Sequence, residues 1–145
     1  MEETTNDVAA IRHLLEERVQ AIYAKDLNAL MSAIAPDIRS FDVLDPLQNT
    51  GSDTVRERAE RWFTGYKTDI GYELGDLQIN AADTLAFAHY LYHVSGTLHS
   101  GDEVSMWVRA TTCFEQRDGT WTIVHEHQSV PFDVETGLAS VRLKP

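Results

Sequence analysis

Met106-Trp107-Val108-Arg109-Ala110-Thr111-Thr112-Cys113-Phe114, then Arg117-Asp118-Gly119-Thr120-Trp121, then Thr122-Ile123-Val124-His125-Glu126-His127-Gln128-Ser129 read as two long strands joined by a tight turn. Asp-Gly between β-forming runs is a strong local hairpin signal, because the favoured two-residue turns need positive φ and Gly tolerates it. The pair of strands is dense in polar side chains with chemistry: Arg109, His125, Glu126, His127 and Gln128. Successive residues of a strand point to opposite faces. Glu126 and Gln128 therefore share one face, and His125, His127 and Ser129 share the other. The chemistry of the chain turns on which face is enclosed.

Working outward, the final strand is expected over Thr120–Phe132 and its partner over Glu103–Gln116, preceded by a turn at Ser100-Gly101-Asp102. Ile70–Ile79 and Leu85–Leu98 read as two further strands. The N-terminal half reads differently. Val8, Ile11, Leu14, Leu15, Val19 and Ile22 recur at helical spacing behind a cap at Asn6 or Asp7, which predicts a helix to about Ala24. Asp26 can cap a short helix over Leu27–Ile34 that Pro36 ends. Ile38–Leu44 reads as a strand running into an Asp45-Pro46 loop that closes at Gly51. Ser52 or Asp53 can cap a third helix to about Gly65, with Val55, Ala59, Trp62 and Phe63 on its apolar side. Its Arg and Glu residues form a solvated face rather than a binding patch. After the strands, Thr136-Gly137 reads as a turn and Ser140–Leu143 as a short strand. Helices first and antiparallel strands after make an α+β pattern, a half-barrel with an enclosed pocket.

Composition narrows the function. With 145 residues, one domain over 1–145 is expected, large enough for its own core. A net charge of −11 argues against nucleic acid and against an anionic membrane surface. No apolar run is long enough to span a bilayer, and the acidic start Met1-Glu2-Glu3 is unlike a signal peptide. Cys113 is the single cysteine, which excludes an intrachain disulfide and fits a cytoplasmic location. No nucleotide loop, serine nucleophile elbow or metalloprotease helix is present.

The order of elements resembles the nuclear-transport-factor-2-like superfamily. More specifically, Trp107-x-Arg109-x-Thr111, Asp118-Gly119-x-Trp121, His125-Glu126-His127-x-Ser129-Val130-Pro131-Phe132-Asp133 and the loop Asp45-Pro46-Leu47-Gln48-x-x-Gly51 resemble the SnoaL-like, ketosteroid-isomerase-homologue group. The resemblance covers essentially the whole chain. It implies a cone-shaped half-barrel, a curved antiparallel sheet wrapped around three N-terminal helices. It also implies a homodimer, with a pocket between sheet and helices. The tail over residues 133–145 is expected to pack on the sheet or on a dimer partner. Matched to the isomerases, the general base falls at Asp45 by the Asp-Pro motif and at Asp42 by counting from Asp26-Leu27. Arg18 stands where those isomerases have a tyrosine, a departure that points away from steroid isomerisation. The hairpin also resembles that of the kinase association domains, in which the pocket-facing position matches Gln128.

The candidate residues follow. Glu126 on an enclosed strand face would suit a general acid or base, since burial in an apolar pocket moves a carboxyl's pKa toward neutrality. The alternative is an ion pair with an arginine. Asp42 and Asp45 are candidates at the pocket mouth, against turn formation as the plain role of an Asp before Pro. His89 would join Glu126 as an acid/base pair if its face is inward; otherwise it belongs to an interface. His125 and His127, with His89 and His93, could form a metal site, but one His-x-His lacks a third ligand, and neither metal nor cofactor is expected. Arg109 with Trp107 could hold an anionic group or serve as a structural arginine stacked on the indole. Gln128, His127, Trp62, Tyr23 and Phe114 complete the expected ligand-binding set. The reading is a cofactor-independent protein that binds a small apolar or aromatic molecule and performs acid/base chemistry of an isomerase, cyclase, dehydratase or hydrolase kind. The alternative is a noncatalytic ligand-binding or dimerisation module.

Overall fold

Ile11, Leu15, Ala21 and Ile22 fall on one stripe of a long first helix and are buried against the sheet. The computed structural model describes residues 2–145, with side chains described from residue 6 onward. Helix α1 spans Glu2–Ala24, so Asn6 and Asp7 lie inside the helix rather than at its cap. The Asp7 carboxylate instead accepts a bond from Trp121 Nε1 at 3.3 Å, tying the helix to the last strand. Helix α2 (Leu27–Met31) is capped by Asp26, whose carboxylate accepts from the Ala29 N–H at 3.1 Å. Helix α3 (Ser52–Gly65) starts behind Gly51, at φ 91°, without a side-chain cap.

The strands are β1 (Ile34–Phe41), β2 (Asn49–Thr50), β3 (Gly71–Ala82), β4 (Leu85–Thr97), β5 (Glu103–Arg117) and β6 (Thr120–Ser129). They form one curved, unclosed sheet in the order β2-β1-β6-β5-β4-β3. The sheet is antiparallel except for one pair: β1 runs parallel to β6. Asp118 and Gly119 both have positive φ at the β5–β6 turn, as the Asp-Gly signal requires. At Gly96 the Tyr66 ring lies so close that a Cβ would sit 2.7 Å from it, so only glycine fits that position.

Several boundaries differ from the sequence expectation. Helix α2 ends at Met31, and Pro36 lies inside β1. The β1–β6 register is irregular between Ile34 and Arg39, which accommodates a residue with no N–H to donate. Strand β6 stops at Ser129, ahead of Pro131. Beyond it, Phe132 bridges Ala139, and residues 140–143 are not a strand.

Candidate functional site: a buried polar rung

Cys113 pairs with His125 but Phe114 pairs with Ile123, so Val124 is an extra residue, a β-bulge in β6. The bulge puts Trp121 and Ile123 on the same face as Glu126. All three are buried, and His127, between Glu126 and Gln128, is exposed. The inner face of the sheet therefore carries Glu126 and Gln128 with Thr112 and Phe114, and the outer face carries the histidines.

Among the described residues, the buried polar side chains are Ser40, Asn49, Thr112 and Glu126. They form one rung across the sheet: Asn49 pairs with Ser40, Ser40 with Glu126, and Glu126 with Thr112. Paired residues point the same way. From α1, Arg18 reaches this rung and donates from Nη1 to Glu126 Oε1 at 2.6 Å. Arg18 lies on the same stripe, between Leu15 and Ile22, with its side chain 16% exposed. Tyr90 and Thr112 share a hydrogen bond of 3.0 Å, and Tyr92 donates to Gln128 Oε1 at 3.0 Å. Tyr72 stacks on Tyr92 with ring centres 4.6 Å apart, and Trp62 meets Tyr72 edge-on at 6.0 Å.

The electrostatics follow from burial. Burial works against the charge of Arg18, but the charge and hydrogen bond of Glu126, with help from the neighbouring tyrosines, outweigh it and raise the guanidinium above its ordinary range. Burial raises the phenol of Tyr72 well above the ordinary value, with Tyr90 and Tyr92 adding to it. Burial also raises Tyr92 well above its ordinary value and raises Tyr90, against the opposing pull of Arg18. These hydroxyls are neutral donors at physiological pH, set beside a fixed cation and a carboxylate.

Asp42 lies beyond the end of β1, where Arg58 of α3 donates from Nε to its Oδ2 at 3.0 Å. Its other oxygen accepts from the Val43 N–H at 2.6 Å. Asp45 is exposed, and its backbone carbonyl accepts from Arg58 Nη1 at 2.8 Å. Arg58 thus staples the loop. Phe114 is 1% exposed and is part of the core. Tyr23 is 42% exposed on α1, away from the buried stripe.

The remaining sequence candidates lie elsewhere. His89 is on the outer face, because Ala88 and Tyr90 take the inner one, so it makes no pair with Glu126. Trp107, Arg109 and His127 are outward for the same reason of alternation. Trp107 packs near His93 at 5.2 Å, and Arg109 Nε donates to Ser129 at 3.2 Å rather than to a carboxylate. His89, Arg109 and His127 come together with Asp76, Leu91, Thr111 and Ser129 around an outer groove of about 390 Å³. Glu126 is not among its walls. Among the described residues no group of three or more His, Cys, Asp or Glu is placed to hold a metal.

A family model described as a SnoaL-like domain matches residues 11–133. The chain belongs to the SnoaL-like family. An NTF2-like protein of unknown function from Pseudomonas putida KT2440 is 32% identical, with a TM-score of 0.90 over 98% of this chain and 99% of that one. A hexachlorocyclohexane dehydrochlorinase matches at 16% identity and a TM-score of 0.76, over 97% of this chain and 95% of that chain. The association domain of C. elegans CaMKII matches at 14% identity and a TM-score of 0.70, over 90% and 100%. At such identities the last two share the fold. No protein of curated function matches the sequence significantly.

Within this SnoaL-like sheet, Arg18, Tyr72, Ser40 and Asn49 are the site residues that the sequence reading did not assign. Arg18 had a signal, a charge on the apolar stripe of a helix. Ser40 and Asn49 had none, since Asn49 follows an irregular loop and only pairing across β2, β1 and β6 gives the rung its continuity.

Proposed function

We propose that this SnoaL-like protein binds a small apolar or aromatic molecule between the inner sheet face and the helices. Glu126 is the acid/base group, and the neutral tyrosine hydroxyls are the donors that steady developing negative charge. The observation that carries the reading is the buried Arg18–Glu126 pair beside Tyr90 and Tyr92. Arg18 engages Oε1, leaving the second oxygen of a positioned carboxylate for a ligand. Trp62 and Tyr72 supply an aromatic wall. Isomerisation, cyclisation, dehydration and hydrolysis are all within reach of such a group. A dehydrochlorinase stands on the same fold, although fold does not imply function. The test is a crystal soaked in a mixture of aromatic metabolites. Density beside Glu126 is expected, and density confined to the groove of His89 and His127 overturns the assignment. In any turnover assay so reached, Glu126→Gln is expected to abolish turnover and spare assembly; retained turnover removes the acid/base role.

A second reading has its own observations. Both leading carboxylates are tied to arginines, Glu126 to Arg18 and Asp42 to Arg58. Large apolar side chains are exposed at Leu85, Phe87, Phe132, Val134 and Leu138. These favour a noncatalytic module that forms a homodimer through the outer sheet face and the tail. Sedimentation of Phe87→Glu separates the readings. A shift from dimer to monomer with unchanged ligand binding supports the interface, and a monomeric parent protein removes it.

A further inference from the structure

One row of paired residues crosses the outer groove. Gly75 of β3 pairs with Leu91 of β4, Leu91 with Arg109 of β5, and Arg109 with Ser129 of β6. Paired residues point the same way. Gly75 carries no side chain, so the group that β3 presents is its neighbour Asp76, at φ 51° beside the bulge in that strand. Asp76, Leu91, Arg109 and Ser129 all line the groove. From β3 to β6 the row thus runs carboxylate, aliphatic side chain, guanidinium, hydroxyl. Ser129 accepts from Arg109 Nε at 3.2 Å, which draws the guanidinium toward β6 and away from Asp76. Among the described residues, neither Asp76 nor Arg109 makes an ion pair. With strands about 4.8 Å apart, β3 and β5 are roughly 10 Å apart. Opposite charges therefore face one cavity of about 390 Å³ across an apolar strip without neutralising each other.

An apolar molecule would cover Leu91 and leave both charges unanswered. A simple carboxylate pairs with Arg109, whose Nη1 and Nη2 have no partner among the described residues, but its far end meets Asp76 with nothing to offer. A simple amine has the reverse difficulty. A molecule with a carboxylate at one end, an ammonium at the other and an apolar body between them answers the whole row. A second row gives the groove its width. His89, Thr111 and His127 pair in turn, and the short Thr111 between two imidazoles leaves a trough, with β4 and β6 again roughly 10 Å apart. That is room for a flat ring. We infer that the outer groove binds a zwitterion, an amino carboxylate with a flat apolar body, its carboxylate on Arg109 and its ammonium on Asp76. The groove is on the opposite face of the sheet from Glu126, so this site is independent of the reading above.

Three probes of equal heavy-atom number test it on the unmodified protein. 4-(Aminomethyl)benzoate carries both charges, 4-ethylbenzoate lacks the ammonium, and 4-isopropylbenzylamine lacks the carboxylate. Binding is followed by calorimetric titration and by the Arg109 Nε–H signal in NMR, identified by its loss in Arg109→Gln. The zwitterion is expected to bind about fivefold more tightly than either other probe, since an exposed ion pair contributes up to about that factor. It should move the Arg109 signal and bind less tightly as salt is added. Arg109→Gln should reduce its binding to the level of the amine. Asp76→Asn, which keeps a residue tolerant of positive φ, should reduce it to the level of 4-ethylbenzoate. Equal binding of all three probes, or 4-ethylbenzoate binding as tightly as the zwitterion, overturns the inference. So does a signal change confined to the Gln128 side-chain amide on the inner face. Binding that falls as the protein self-associates assigns the groove to a second copy and overturns it, as does binding of none. Should either variant not fold, the probe ranking and the Arg109 signal on the unmodified protein decide.

Discussion

The two faces of β4, β5 and β6 are made from the same three strands and differ in nearly everything else. Inward, Tyr90, Tyr92, Val108, Ala110, Thr112, Phe114, Trp121, Ile123 and Glu126 are closed off by helices, and the Arg18–Glu126 ion pair there is largely buried. Outward, His89, Arg109 and His127 are exposed around an open groove, and Arg109 has a hydroxyl for a partner where Arg18 has a carboxylate. Two arginines on one domain thus live under different rules. Arg18 has given up most of its water and is held by Glu126. Arg109 keeps its water, and little of the fold depends on it. Polar residues in a strand say nothing of themselves about a site; enclosure decides which of them are bound to one another and which remain free to meet solvent or a partner.

The contrast can be broken most sharply at the ion pair. Arg18→Met leaves the Glu126 carboxylate buried and unpaired, and is expected to cost about 3–5 kcal/mol in denaturant unfolding. Adding Glu126→Leu should recover much of that loss, and a double variant as unstable as the single one would show that packing rather than charge sets the cost. Phe114→Ala, at the other end of the same face, should lose about 3 kcal/mol through cavity formation. A cost below about 1 kcal/mol would place Phe114 in a site that collapses freely.

A smaller effect comes from pH. An unfolded tyrosine ionises near about pH 10, and burial holds Tyr72, Tyr90 and Tyr92 above their ordinary value. The native state therefore retains protons that the unfolded chain releases. That stability is complete below about pH 10 and is lost as pH rises through the native values. Phenolate absorbance and circular dichroism measured together should show these tyrosines ionising only as the fold is lost; early ionisation with an intact spectrum would mean that water reaches the rung. Smallest of all, His89→Ala and Arg109→Ala should each change the stability of the monomer by no more than about 0.5 kcal/mol. A larger loss that depends on protein concentration would assign the outer face to an assembly.

Much of this could be read before any coordinates, for reasons that differ by region. The hairpin declared itself through Asp118-Gly119, whose local φ demand needs no tertiary context. The inward direction of Glu126 and Gln128 followed from strand alternation plus resemblance. His89 could not be placed by alternation, because nothing local tells a strand which side helices will cover. Pro36 was misread as a helix stop, since an irregular parallel pairing that excuses its missing N–H exists only once β1 meets β6. Arg18 was visible as a charge on an apolar stripe, yet its partner lies 108 residues away in sequence. The rung as a whole was out of reach, because its members come from four strands whose order is not the order of the chain.

The bulge at Val124 has a last consequence. In the language of reading frames, it is a one-residue insertion that the backbone has already absorbed, so the two halves of β6 keep their phase with the sheet independently. Removing one residue between Ile123 and Glu126 would restore an unbroken ladder and leave Trp121, Ile123, Glu126 and Gln128 facing as they do. Pulling the strand straight with all its residues kept would instead carry His125 and His127 into the interior and put Glu126 outside. One peptide unit of slack separates a domain with an arginine-held carboxylate at its centre from one with a pair of histidines there.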